Sequence, residues 1–414
     1  MKKKDFKGFP FIEGGVCAAK GFKANGIHCG IKQNGDPNKN DLAVICAEKP
    51  CTAAAMYTTN KVQGAPIAVT KRHIADGFAQ AVIVNSVNAN TCNADGEEKA
   101  EAMCEALANE LNLKPEDIIV ASTGVIGQPL PIEPIVSGIP ALVRGLSVTG
   151  NTAAVNAIMT TDTVPKEVAV EFVIGDKTCR LGGMLKGSGM IHPNMATTLT
   201  FLTTDCDIDA GLLKNALREV VFLTLNRVSV DGDTSTNDMV CILANGDAGN
   251  AKITKDDENF AVFKDALYTV LMNLARMMAR DGEGATKLIE CLCDGAPDDK
   301  TAEIVAKSVI TSSLFKAAIF GEDANWGRIL CAVGYAPVDF DIHQVYVTIG
   351  SDKGVILVCE DGAGVGFSEE EAKEILSEEE IIVHVTIGKG EGFAVAWGCD
   401  LTYDYVRING DYRS

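Results

Sequence analysis

The chain has 414 residues, 47% hydrophobic and 22% charged, with 56 acidic residues against 37 basic ones and a formal net charge of −19. That much apolar material supports a large core and excludes disorder as the main description. The acidic balance repels phosphate backbones, which argues against nucleic acid or an anionic membrane as partner, and no apolar run approaches the ~18 residues of a membrane span.

The length corresponds to two or three domain-sized units. The start, Met1-Lys2-Lys3-Lys4-Asp5, runs into Phe6-Lys7-Gly8 rather than an apolar stretch, so no secretory signal is expected. Period-2 apolar runs alternate with helical stretches, which reads as α/β or α+β. In chain order the spacing predicts a strand over 81–85, a helix over 97–111, and strands over 118–121 and 198–203. Helices follow over 210–225, 260–280 and 302–319, then strands over 344–349 and 355–359. A helix over 368–376 opens with Ser368-Glu369-Glu370-Glu371, a capping-box pattern. A strand over 381–387 completes the series, and Val-Thr-Ile-Gly recurs at 347–350 and 385–388, as two strands ending alike in one sheet would.

Fourteen Cys are scattered without any Cys-x-x-Cys pair. Zinc ribbons and iron–sulfur clusters need tighter, repeated spacing. Reduced, mostly buried thiols in a cytoplasmic protein are expected, with no metal site. A Gly-x-Ser-x-Gly elbow is absent, and Gly388-Lys389 is followed by Gly, which breaks a Walker A loop. The five His show no His-x-x-x-His spacing, so a zinc hydrolase has little support.

Thr, Gly and Asn instead concentrate at four strand or helix ends: 121–127, 159–166, 186–199 and 281–287. The third is the most informative. A Gly-rich loop with one Lys, Lys186-Gly187-Ser188-Gly189-Met190, runs through Pro193-Asn194 into Ala196-Thr197 at the head of a strand. A Thr there can attack its own preceding carbonyl and break the chain between Ala196 and Thr197. The freed α-amino group, with an ordinary pKa of about 7.7–8.0, then serves as base for the hydroxyl. Thr also starts strands for β-propensity alone, so the spacing leaves both readings open.

The sequence resembles the ornithine acetyltransferase family, also called glutamate N-acetyltransferase, of arginine biosynthesis. The matching runs extend nearly end to end. They include Gly14–Lys23, Thr58-Thr59-Asn60, Asn85–Asn90, Ser122–Gly127, Lys186–Thr197, Ser229–Asp238, Asp281–Lys287, Asn325-Trp326-Gly327-Arg328 and Ile408–Ser414. The resemblance implies a sandwich-like α/β fold of layered sheets and helices shared with N-terminal-nucleophile aminopeptidases. It implies self-cleavage between Ala196 and Thr197, giving fragments 1–196 and 197–414. Thr197 would then take acetyl from N-acetylornithine and pass it to glutamate, with ping-pong kinetics. Thr123 (hydroxyl) and Gly124 (backbone N–H) correspond to the family's oxyanion hole. Thr160, Lys186, Thr197, Glu283, Asn409 and Ser414 correspond to its substrate contacts, Lys186 suiting the α-carboxylate of both substrates. No cofactor or metal is implied, though acetyl-CoA is a further donor for some members. Two copies of each fragment would assemble. An amidase or aminopeptidase of the broader group is the alternative. Three departures stand out: Val87 where Gly is common, Ala324 where Pro is common, and Thr198 where Met is frequent.

Overall fold

The computed structural model describes residues 1–31, 35–192 and 198–410. Two mixed sheets organise the chain. The first runs, in spatial order, through Phe11–Ile12, Lys166–Ile174, Lys177–Lys186, Leu199–Thr204, Met239–Ala244, Leu42–Tyr57, Phe78–Asn85 and Ile118–Ser122, with Phe22–Ile27 beside Leu42–Tyr57. The second runs through Ala363–Gly364, Gly354–Glu360, Tyr346–Ser351, Glu380–Thr386, Leu288–Ala296, Gly392–Cys399 and Val228–Ser229. This is the expected layered α/β arrangement.

The helix Glu258–Arg280 joins the two layers. It packs on Lys166–Ile174 of the first sheet and on Gly392–Cys399 of the second. Its sequence explains that position: the first turns keep one less buried side at Glu258, Ala261 and Asp265, whereas from Thr269 to Arg276 every residue is buried. The Asp257 side chain accepts from the backbone N–H groups of Asn259 and Phe260 and so caps its start. Full burial of Phe263 alone contributes about 1.5–3 kcal/mol. Arg276, 1% exposed, is tolerated there because it donates to Glu290 at 3.1 Å and Glu380 at 2.7 Å.

The predicted elements recur with shifted ends. The 302–319 helix is two helices, Asp299–Thr311 and Ser313–Phe320. Ser312 leaves helical geometry and its hydroxyl accepts from Phe315 N at 3.3 Å, which caps the second helix. The 344–349 strand starts at Tyr346, because the Asp341 carboxylate draws 342–344 into a 3-10 turn. Strand Leu42–Tyr57 was hidden in sequence by Pro50. Its pairing with Phe78–Asn85 shifts register between Cys46 and Cys51, which leaves room for a residue that cannot donate. The two Val-Thr-Ile-Gly segments start on strands paired antiparallel, Val347 opposite Val385, but the first lies within its strand while the second runs past its strand's end at Thr386.

Strand Leu199–Thr204 is fully buried between Lys177–Lys186, antiparallel, and Met239–Ala244, parallel. Residues on both sides of the 196/197 junction therefore build one sheet.

Candidate active site

Lys186 ends strand Lys177–Lys186 opposite Leu199, and Thr198 directly precedes Leu199. The pairing buries Lys186 to 9% exposure. Burial pulls its pKa below the ordinary lysine value; Asp162, Asp238 and Glu283 oppose that shift and Lys166 adds to it. The Lys186 ammonium lies 3.4 Å from the Thr123 hydroxyl. The Thr198 hydroxyl donates to the Lys186 carbonyl.

Thr123 and Gly124 follow strand Ile118–Ser122. Thr123 N donates to Asn85 O at 3.0 Å, and Val125 N donates to Val87 O at 3.0 Å, which clamps the turn from both sides. Gly124 has φ +133°, and a Cβ there would lie 2.0 Å from the Val87 carbonyl carbon. Only glycine fits. The Gly124 N–H has no hydrogen-bond partner among the described residues, so it remains available as a donor.

Glu283 sits past the helix Glu258–Arg280, yet it is buried at 8% exposure rather than on the surface. Its carboxylate accepts from Asn409 Nδ2 at 2.6 Å, and Asn409 ends the helix Tyr403–Asn409. A Cβ on Gly189 would lie 2.5 Å from that carboxylate, so the Gly-rich loop passes as close to Glu283 as a backbone can. Thr160 lies in the loop after the helix Asn151–Ile158 and does not cap it; its N–H donates to Asp162 at 3.1 Å.

Thr123, Gly124, Thr160, Lys186, Glu283 and Asn409 all line one cavity of about 160 Å³. Ala196, Thr197 and Ser414, which the sequence also singled out, lie outside the described residues. A larger cavity of about 650 Å³ abuts this one, sharing Asp231 and Tyr405, and none of the predicted residues lines it. Among the described residues no His, Cys, Asp and Glu cluster is arranged to hold a metal ion.

Sequence reasoning left several contributors unassigned. Asn237 Nδ2 donates to Ser122 O at 3.0 Å and to Ala89 O at 2.5 Å, tying the 229–238 loop to the oxyanion turn. Asp231 accepts from Met190 N at 2.7 Å and Ile191 N at 2.8 Å, and burial raises its pKa. Asp238 is buried, its Oδ2 has no partner among the described residues, and burial pushes its pKa well up. All three lie in the Ser229–Asp238 run already noted as a motif, so the signal was present but carried no assigned role.

Comparison with known proteins adds an independent line. The ArgJ family pattern matches residues 23–414. The Arginine biosynthesis bifunctional protein ArgJ 1 of Clostridium acetobutylicum is 50% identical over 394 residues, covering 95% of this chain and 96% of that protein. A crystal structure of Arginine biosynthesis bifunctional protein argJ from Bacillus halodurans is 47% identical, covering 50% of this chain and 96% of the solved one, with TM-score 0.48. A structure of Ornithine Acetyltransferase complexed with Ornithine from Mycobacterium tuberculosis is 37% identical, covering 45% of this chain and 100% of that one, with TM-score 0.42.

Proposed function

The chain belongs to the ArgJ family, and from that premise we propose that it moves acetyl from N-acetylornithine to glutamate through an acetyl-Thr197 intermediate. It is an acyltransferase of arginine biosynthesis. The observation that carries the finer reading is the single cavity at which Thr123, Gly124, Thr160, Lys186, Glu283 and Asn409 meet.

The chemistry follows from that arrangement. The Lys186 ammonium receives the α-carboxylate common to N-acetylornithine and glutamate. Glu283, Asp231 and Asp233 line the same cavity and suit the donor's side-chain ammonium. The Thr197 hydroxyl attacks the acetyl carbonyl, with its own α-amino group taking the proton. Negative charge develops on the carbonyl oxygen, and the Thr123 hydroxyl and Gly124 N–H stabilise it. The protonated α-amino group of Thr197 returns its proton to the departing nitrogen, and ornithine leaves. Glutamate then enters with its α-carboxylate on Lys186; its α-amino nitrogen attacks the acetyl ester, and Thr197 departs as the free hydroxyl on taking back a proton through its own α-amino group.

Self-cleavage between Ala196 and Thr197 frees that α-amino group. The engagement of the Thr198 hydroxyl with the Lys186 carbonyl supports Thr197, not Thr198, as the nucleophile. The fragments 1–196 and 197–414 stay joined through the shared sheet, and two copies of each form the working assembly. No cofactor is needed, and acetyl-CoA serves as an alternative acetyl donor. Among the described residues no helix is long and apolar enough to cross a membrane. Fourteen unpaired thiols suit a reducing compartment, which supports the cytoplasm.

The test is glutamate-dependent transfer from N-acetylornithine, assayed beside acetate release. Acetylglutamate formation that depends on glutamate supports the proposal. Acetate release without glutamate would make the protein an amidase instead.

A further inference from the structure

Behind the cavity lies a buried charge network that touches the loops carrying three substrate-facing residues. Lys166, fully buried, donates from Nζ to Asp162 Oδ1 at 2.6 Å and to Asp281 Oδ2 at 2.5 Å. Asp162 also accepts from Gly187 N at 2.7 Å, next to Lys186, and from Thr160 N at 3.1 Å. Asp281 accepts from Thr163 N at 3.1 Å and from the Thr163 hydroxyl. The Asp281 carbonyl accepts from Ser188 Oγ at 2.7 Å, and Glu283 N donates to Ser188 O at 3.0 Å. Thr160, Lys186 and Glu283 are thus each within two residues of a group in the network.

The charges do not cancel within it. Two carboxylates share one ammonium, which leaves one negative charge in a place where an unbalanced charge is costly. Lys186 is the second cation acting on Asp162.

We propose that Asp162 is a positioning residue for acetyl transfer: it fixes the Lys186–Gly187 loop and keeps Lys186 an ammonium able to receive the substrate carboxylate. The proposal rests on the carboxylate-binding role given to Lys186 above. The groups facing Lys186 are Asp162, Asp238 and Glu283, the cation Lys166, and the Thr123 hydroxyl. Asp238 is pushed towards its neutral form by burial, whereas Asp162 stays ionised. Of the three carboxyl groups, Asp162 acts most strongly on Lys186. Without it, burial and Lys166 strip the proton from Lys186 at lower pH.

The experiment uses the full chain and measures KM for N-acetylornithine and glutamate from about pH 6 to about pH 10, where a lysine of depressed pKa titrates. In wild type, KM is flat at low pH and rises once Lys186 loses its proton. In Asp162→Asn that rise should begin about one pH unit lower or more, a roughly tenfold higher KM at a fixed alkaline pH. Lys166→Met removes the repelling cation and should move the rise the opposite way, to higher pH. A loss of packing alone would not produce opposite shifts, and Lys166→Met keeps the test open where Asp162→Asn does not fold. Lys186→Met serves as the control: it should raise KM at low pH, where wild type carries the ammonium, and abolish the rise with pH. If both network variants keep the wild-type pH profile while Lys186→Met raises KM, the role of Asp162 is overturned and that of Lys186 stands. If Lys186→Met leaves KM unchanged, the carboxylate-binding reading itself fails, and the proposal with it.

Discussion

Asn409 donates its side-chain amide to the Glu283 carboxylate at 2.6 Å, across 126 residues of sequence. The helix Tyr403–Asn409 thereby closes one wall of the cavity. A hydrogen bond to a charged group contributes about 1.5–3 kcal/mol. Asn409→Ala should accordingly lower kcat/KM by roughly 10- to 100-fold. Steady-state kinetics decide this, and an unchanged kcat/KM would remove Asn409 from the site.

The purified protein should run as two fragments, of 196 residues and of 218 (414 − 196). Thr197→Ala should remain one chain and be inactive. An uncut yet active Thr197→Ala protein would end the nucleophile assignment. N-terminal sequencing of the second fragment tells Thr197 from Thr198.

The Thr123 hydroxyl acts on charge that exists only in the transition state, so its loss should appear in kcat and not in KM. Thr123→Ala is expected to lower kcat by about 100- to 1000-fold, the usual cost of one oxyanion donor. A KM effect of the same size with kcat intact would make Thr123 a substrate contact instead.

How much of this was legible in the sequence depends on the kind of signal. Strand Phe78–Asn85 announced itself as a short apolar run, because both faces of its second half are buried, and helix Gly96–Leu111 by its period, because one side faces the core. Leu42–Tyr57 did not, because Pro50 within it argues against a strand until the register shift is seen. The Lys186 loop was readable from glycine density. The burial of Lys186 and Glu283 was not, since a lone Lys or a Glu past a helix end is ordinarily solvated. Asn409 was reached only through resemblance, because nothing local ties it to a loop so far back in sequence. Lys166 with Asp162 and Asp281 shows the limit most sharply. Asp162 and Lys166 are four residues apart and would pass for a surface pair, while Asp281 arrives from 115 residues away and completes a buried network.

Acid sensitivity should trace to that network. Burial alone would raise the pKa of Asp162, but the ammonium groups of Lys166 and Lys186 outweigh it and hold the carboxyl below its ordinary 3.8. The folded state then binds fewer protons than the unfolded state near that pH. Its contribution to stability is full at neutral pH and is lost as pH falls through 3.8 towards the lower folded value. Urea unfolding at about pH 7 and about pH 3 should show a smaller difference in Asp162→Asn than in wild type. An equal difference in both would show that other carboxylates set the acid limit.

Val87 is the departure with a mechanical consequence. It has φ +78°, a left-handed conformation that a β-branched side chain enters only under constraint. The constraint is visible: its carbonyl accepts from Val125 N at 3.0 Å and abuts Gly124. Such a residue costs about 1–3 kcal/mol. Glycine removes that strain, and the freedom it adds to the unfolded chain returns about 0.5–1 kcal/mol of the gain. Val87→Gly should therefore be more stable by about 1 kcal/mol, raising Tm by about 1–3 °C for a chain of this size. The backbone contacts to the oxyanion turn involve no Val87 side-chain atom, so kcat should be nearly unchanged. A thermal melt with a parallel activity assay checks both. A lower Tm would mean that Val87 gains more from packing against the core cluster under the first sheet than its backbone loses. A lower kcat at unchanged Tm would mean that the side chain, by stiffening the turn, holds the Gly124 N–H in line with the developing charge.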